Sequence, residues 1–279
     1  MEPIEILKFF ETLDNFDFDL PDSEGESALF TAIYKKRLDL VKFLVSKGAD
    51  VHRRSYRAKY DVVYVAACLG DVETLQYFID IGCDVNLQNQ MQRTALTKAC
   101  WMGRADSVAV LLKHPKIDVN LQANGQRTAL YMSCWGKYGG RDGKKASTHP
   151  DDSPECARLL LEAGADPEIT DDRGKTPLIV ACQTGGTRSI SVLIEFGANA
   201  NAITFNGSTA LHTCMFYGIK ENLEALLGKH LLNGVEPPIL NDSHVFESKS
   251  TGKNIPYLPI FSVTKRDCFW KLEYLIENE

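Results

Sequence analysis

Residues 93–101 read RTALTKACW, and residues 127–135 read RTALYMSCW. Two near-copies one step apart, each ending in tryptophan, mark a chain built by repetition. The frame that starts at Thr94 and Thr128 finds five more starts. They are Ser27-Ala-Leu-Phe-Thr-Ala, Asp61-Val-Val-Tyr-Val-Ala, Thr176-Pro-Leu-Ile-Val-Ala, Thr209-Ala-Leu-His-Thr-Cys and a degenerate Leu258-Pro-Ile-Phe-Ser-Val. The steps are 34, 33, 34, 48, 33 and 49 residues, so two of them carry about fifteen residues beyond one period.

An apolar triplet follows each start: Val41/Leu44/Val45, Leu75/Phe78/Ile79, Val108/Leu111/Leu112, Ala157/Leu160/Leu161, Ile190/Leu193/Ile194, Leu223/Leu226/Leu227 and Leu272/Leu275/Ile276. Spacing i, i+3, i+4 predicts one buried stripe on a helix. Five of these helices run into Gly48, Gly82, Gly164, Gly197 or Gly228, where a left-handed residue ends a helix without a Cβ penalty. The segments GADVH, GCDVN, GADPE and GANAN then break helix and suit turns.

In these registers the chain resembles the ankyrin repeat family, whose pattern runs T-P-L-H-x-A, then G, then V-x-x-L-L-x-x-G-A-D-V-N. The resemblance covers about residues 22–279. It departs at Asp61-Val-Val, at HPKI in repeat three, and at Glu279 where a Gly would sit. The resemblance implies an all-α solenoid of about seven repeats, each a turn plus two antiparallel helices, with an N-terminal capping helix. The expected boundaries are an acidic cap at 1–21 and repeats at 22–55, 56–88, 89–122, 123–170 (with an inserted loop at 137–155), 171–203 and 204–252 (with a long following insert). A degenerate repeat or C-terminal cap takes 253–279. One such unit cannot bury its apolar face alone, so neighbours must stack. The small residue at motif position six (Ala32, Ala66, Ala99, Ser133, Ala181) lets helices approach closely.

Composition narrows the functional classes. The chain has 279 residues, 44% of them hydrophobic, and no run of apolar residues long enough to span a membrane. Its acidic N-terminus reads as neither a signal peptide nor a transit peptide. Nine carboxylates and Lys8 give residues 1–26 a charge of −8, which leaves +2 for the rest of a chain of net charge −6. The eight cysteines fall inside helical patterns, where a thiol acts as a small hydrophobe, and point to a reducing cytoplasmic or nuclear setting. No Cys or His pair has zinc-ligand spacing. GRDGKKAS in the first insert fails as a phosphate loop: three residues separate Gly139 from Gly143, and Lys145 stands where Ser or Thr is needed. Cys100, Cys134 and Cys182 share one repeat position, which points to packing rather than catalysis. His212 holds the family's motif histidine, which the resemblance assigns to bracing the turn.

The expected activity is therefore non-catalytic capture of another protein on the concave side. No nucleic acid, membrane, metal or cofactor is expected. The resemblance places motif positions five and eight in the groove. There Tyr34, Trp101, Trp135, Met132 and Phe216, with Met102 beside them, are the expected apolar anchors. Arg57, Lys59, Arg93, Arg127 and Lys175 on the turns are the charged guides. Such a face suits an acidic-flanked hydrophobic peptide. Two alternatives stand. One is a scaffold subunit of a large cytoskeletal, ciliary or ubiquitin-ligase assembly, held through its inserts and convex face. The other is an enzyme with a site in the insert at 229–253.

Overall fold

A repeat start puts a short polar side chain where a helix begins. The computed structural model describes residues 17–56, 59–135, 152–233, 244–247 and 254–257, with side chains as far as Leu227. Thr94, Thr128, Thr176 and Thr209 each accept the backbone N–H three residues on, from Thr97, Tyr131, Ile179 and His212. Asp61 does the same for Tyr64 at 2.8 Å, so the departure from the motif keeps the cap. Ser27 makes no such bond.

Six helix pairs follow: α1 (Ala28–Tyr34) with α2 (Leu38–Ser46), α3 (Val62–Leu69) with α4 (Val72–Asp80), and α5 (Ala95–Trp101) with α6 (Ala105–Leu112). Next come α7 (Ala129–Ser133) with α8 (Pro154–Glu162), α9 (Pro177–Thr184) with α10 (Thr187–Glu195), and α11 (Ala210–Tyr217) with α12 (Lys220–Asn233). Inner helices pack on inner helices (α3 on α5, α5 on α7, α9 on α11), and outer on outer (α6 on α8, α8 on α10, α10 on α12). The result is the expected solenoid with one continuous core. The first two residues of each described triplet are buried, and so are the small residues at position six. Each Leu, Ile or Phe buried this way contributes about 1.5–3 kcal/mol.

At Gly48, φ is +91°, and the Ala49 N–H donates to Leu44 O at 3.0 Å, closing the end of α2. Gly82, Gly164 and Gly197 repeat this geometry. Gly228 does not: α12 runs through it to Asn233, so the helix ends later than the glycine pattern predicts. The inserted loop is also shorter than 137–155. Asp152 is already buried, the Ser153 N–H donates to Ser133 O at 2.9 Å, and Pro154 opens α8. Apart from the helices, β1 (His244–Glu247) pairs antiparallel with β2 (Asn254–Tyr257). The expected capping helix, and the chain beyond Tyr257 in the expected seventh repeat, lie outside the described residues.

The turn segments, or fingers, are tied by a ladder of side chains. Asn86 Oδ1 accepts the Asp118 N–H at 3.0 Å, Asn120 Oδ1 accepts that of Asp166 at 3.0 Å, and Glu168 Oε1 accepts that of Asn199 at 2.8 Å. Asp19 begins the series by accepting from the Asp50 N–H at 3.1 Å. In these four turns the polar residue that closes the turn thus holds the next repeat.

Candidate partner-binding surface

The foot of each finger is fixed before its side chain is placed. Asn89 Oδ1 accepts the N–H groups of Met91 and Arg93 at 2.8 and 3.0 Å. Asp171 Oδ1 accepts those of Arg173 and Lys175, both at 2.9 Å. In repeat four the Ala123 N–H reaches Arg127 O at 2.8 Å. Arg93, Arg127 and Lys175 therefore stand at equivalent places, one residue before the capping threonine. Their side chains lie over the residue eight positions on, at or just past the end of the inner helix. The Arg93 guanidinium is 5.5 Å from the Trp101 ring centre, and that of Arg127 is 5.1 Å from Trp135. The Lys175 ammonium donates to Gln183 Oε1.

The guides and the anchors are thus single units. Lys98 Nζ also sits 3.7 Å from the Trp101 ring centre. Burial pulls the Lys98 amine below the usual lysine range. Arg127 is shared with Tyr131 at 5.7 Å, and the Tyr131 hydroxyl donates to Asp171 Oδ2 at 2.9 Å. Both indoles are half-buried against the core, with cations over them. A cation on an aromatic face contributes roughly 0.5–1 kcal/mol when exposed and about 2 kcal/mol when desolvated.

The remaining expected residues divide. Tyr34 is 44% exposed at the N-terminal end of the stack. Met102 is half-buried just past α5, and Lys59 is exposed with its ammonium 5.8 Å from the Tyr56 ring centre. Phe216 is half-buried and lines a cavity of about 190 Å³ between the fifth and sixth repeats, together with Lys175. Arg57 lies outside the described residues. Met132 requires a correction: it is 6% exposed and belongs to the core. Position five faces inward in this repeat, as it does at Val65 and Val180, whereas Thr31 is exposed and Lys98 half-buried. Sequence reasoning missed Tyr56, Met91 and Phe205, the exposed fingertip side chains at 66%, 54% and 77%. The signal was available, because each is an apolar residue inside a polar turn.

At the repeat position shared by Cys100, Cys134 and Cys182, thiol reactivity is suppressed. Burial pushes the Cys134 thiol up to about 12 and raises Cys100 and Cys182 well above the usual range. A thiol must ionise to be a nucleophile. His212 Nδ1 lies 2.8 Å from Thr209 Oγ1 in a capping box, so it braces the turn as expected. Among the described residues, no group of three His, Cys, Asp or Glu could hold a metal ion. Among them also, no helix is long and apolar enough to cross a membrane.

The family description "Ankyrin repeats (3 copies)" matches residues 63–140 and 145–238, and "Ankyrin repeat" matches 24–56. The chain belongs to the ankyrin repeat family. Ankyrin repeats form protein–protein interaction modules and are generally non-catalytic, so the partners indicated here are proteins. The NF-kappa-B inhibitor alpha of Sus scrofa is 40% identical over 80 residues, which is 26% of this ankyrin chain and 26% of the inhibitor. The ankyrin repeat protein YahD of Escherichia coli (strain K12) is 29% identical over 183 residues, 65% of this chain and 85% of YahD. The "Probable E3 ubiquitin-protein ligase XBOS33" of Oryza sativa subsp. japonica is 30% identical over 192 residues, 66% of this chain and 34% of that protein. The chain thus spans about a quarter of the mammalian inhibitor and about a third of the rice protein.

Proposed function

We propose that the concave face captures a segment of another protein that carries hydrophobic anchors and acidic flanks. No catalysis is involved, and the setting is the reducing cytoplasm. The observation that supports this reading is the doubled unit of Arg93, Lys98 and Trp101 with Arg127, Tyr131 and Trp135, set one period apart. Trp and Arg are the residue types that dominate interface energetics. Half-exposed indoles offer apolar area, and the cations above them steer acidic flanks. Tyr34, Met102 and Phe216 extend the apolar track; Arg57, Lys59 and Lys175 extend the basic rim. The name of the pig relative, an inhibitor of NF-kappa-B, is in keeping with a repeat stack that acts by binding a second protein.

The test is affinity purification from the native source with three forms of the full chain. They are the wild type, the Trp101→Ala/Trp135→Ala double variant, and a form with residues 138–150 replaced by a Gly-Ser stretch. Capture should fall at least about a hundredfold in the double variant, as loss of two hot spots of roughly 2 kcal/mol requires. It should persist in the loop replacement and weaken as salt rises. The opposite pattern, with capture lost only when the loop is replaced, would transfer the function to a scaffold role. The match to the rice ligase gives that second reading its footing.

A further inference from the structure

The cavity between the fifth and sixth repeats has an unbalanced hydrogen-bond inventory. Lys175 enters it from the foot of one finger, Asn206 and Ser208 from the next, Gln183 from the end of α9, and Phe216 and Tyr217 from the end of α11. Gln183 is locked at both ends. Its Oε1 accepts from the Lys175 ammonium, and its Nε2 donates to the Tyr217 hydroxyl at 3.1 Å. An ammonium has three protons, and the other two on Lys175 find no acceptor among the described residues. The Tyr217 hydroxyl accepts from Gln183 and keeps its own proton to give. The Ser208 hydroxyl makes no hydrogen bond among the described residues. Asn206 Oδ1 is taken by the Thr204 hydroxyl, which leaves the Asn206 amide as a further donor. The site thus offers spare donors on Lys175, Tyr217, Ser208 and Asn206.

Charge points the same way. Among the described residues no carboxylate forms an ion pair with Lys175. Asp171, the acid whose charge acts on Lys175, is engaged elsewhere: its Oδ1 holds two finger N–H groups and its Oδ2 holds the Tyr131 hydroxyl. Burial lowers the Lys175 amine below its usual range; Asp171 opposes this, and Arg173 and Arg127 add to it. A half-buried cation is stabilised when an anion arrives. Size limits that anion. At about 190 Å³ the cavity is below the ~300 Å³ typical of small-molecule sites. It has room for one side chain.

We infer that this cavity seats one glutamate or aspartate side chain of the captured segment. The carboxylate accepts hydrogen bonds from Lys175, Tyr217 and Ser208, and the methylenes lie against Phe216. This deepens the concave-face reading and rests on it for the source of the side chain. It also assigns roles to Gln183 and Tyr217, which stand outside the Trp101 and Trp135 units.

The test uses the full chain and a blocked amino acid, N-acetyl-glutamate N-methylamide, titrated while backbone amide shifts of Ser208, Thr209, Phe216 and Tyr217 are followed by NMR. These shifts should saturate with blocked glutamate and stay put with blocked glutamine. Lys175→Met should weaken binding roughly ten- to a hundredfold, the range for one lost hydrogen bond to a charged group. Tyr217→Phe, which removes one oxygen and keeps the ring, should weaken it in the same direction with an unchanged melting temperature. Equal responses to glutamate and glutamine, no saturation, or an unaffected Lys175→Met protein would overturn the assignment. Inorganic phosphate binding more tightly than blocked glutamate would overturn it in favour of a phosphate seat. The Trp101→Ala/Trp135→Ala protein should titrate like wild type. Loss of partner capture in that protein therefore bears on the groove alone, and a failed titration bears on the cavity alone.

Discussion

Asp61 illustrates how a single position serves two masters. It caps α3 through the Tyr64 N–H, yet it is 4% exposed, and burial raises its carboxyl above the usual aspartate range despite that bond. A raised folded-state value means that the fold prefers the protonated form. The stability tied to that preference is present below aspartate's ordinary value of about 3.9 and is lost as pH rises through the elevated one. Threonine, the residue used by four other repeats, caps without charge. Asp61→Thr should therefore match or exceed wild type at pH 7, by up to about 1 kcal/mol, while Asp61→Ala should fall about 1 kcal/mol below the threonine variant. Urea unfolding at several pH values measures this. A gap between wild type and Asp61→Thr that fails to narrow toward pH 4 would contradict the account. The caps were legible in the sequence, because a threonine ahead of an apolar period has one job. The placement of Lys98 over Trp101 was not, since a cation's contact depends on where a half-buried chain folds back. Met132 was misread for a related reason: motif position names a register, and the packing of the neighbouring repeats decides what that register faces.

Between elements, a close approach sits where α9 turns into α10. A Cβ built on Gly186 would lie 2.5 Å from the Cys134 carbonyl oxygen and 3.3 Å from Ala181. The two repeats meet backbone to backbone there, so a methyl group has nothing flexible to push aside. Gly186→Ala should cost about 1–3 kcal/mol, the usual range for overpacking, visible as a lower denaturation midpoint with an unchanged slope. The same junction carries Asn222. Its amide donates to Cys182 O at 2.9 Å, and its Oδ1 accepts from Thr187 Oγ1. The helix pairs were legible from period alone, but these junctions were not. Gly186 and Asn222 lie outside the motif read from the sequence, and the cavity needs Lys175 and Ser208, one repeat apart, to meet.

At the scale of the whole molecule, stacking makes stability a sum over neighbours. The long insertion in repeat four shows how this is preserved. Asp152 is gripped by repeat five: its Oδ2 accepts the Ser189 N–H at 2.7 Å, and its carbonyl accepts from Arg188 at 2.9 Å. Ser153 donates back to Ser133, the last residue of α7. Both ends of the insertion are anchored by the stack itself. Doubling the length of residues 138–150 with Gly-Ser should then cost only about 0.6 kcal/mol by loop closure. Chemical denaturation measures it, and a loss of several kcal/mol would mean that the insertion supplies packing of its own.

The finger ladder has one further consequence. Every rung runs the same way, with a side-chain oxygen on the earlier repeat and a main-chain N–H on the later one. The molecule therefore has a head and a tail. A unit joined behind needs only a peptide N–H, which any residue but proline brings, whereas a unit joined in front adds a rung only with an Asn, Asp or Glu at one specified spot, where the first repeat has His52. Growth by duplication is chemically lenient at one extremity and demanding at the other.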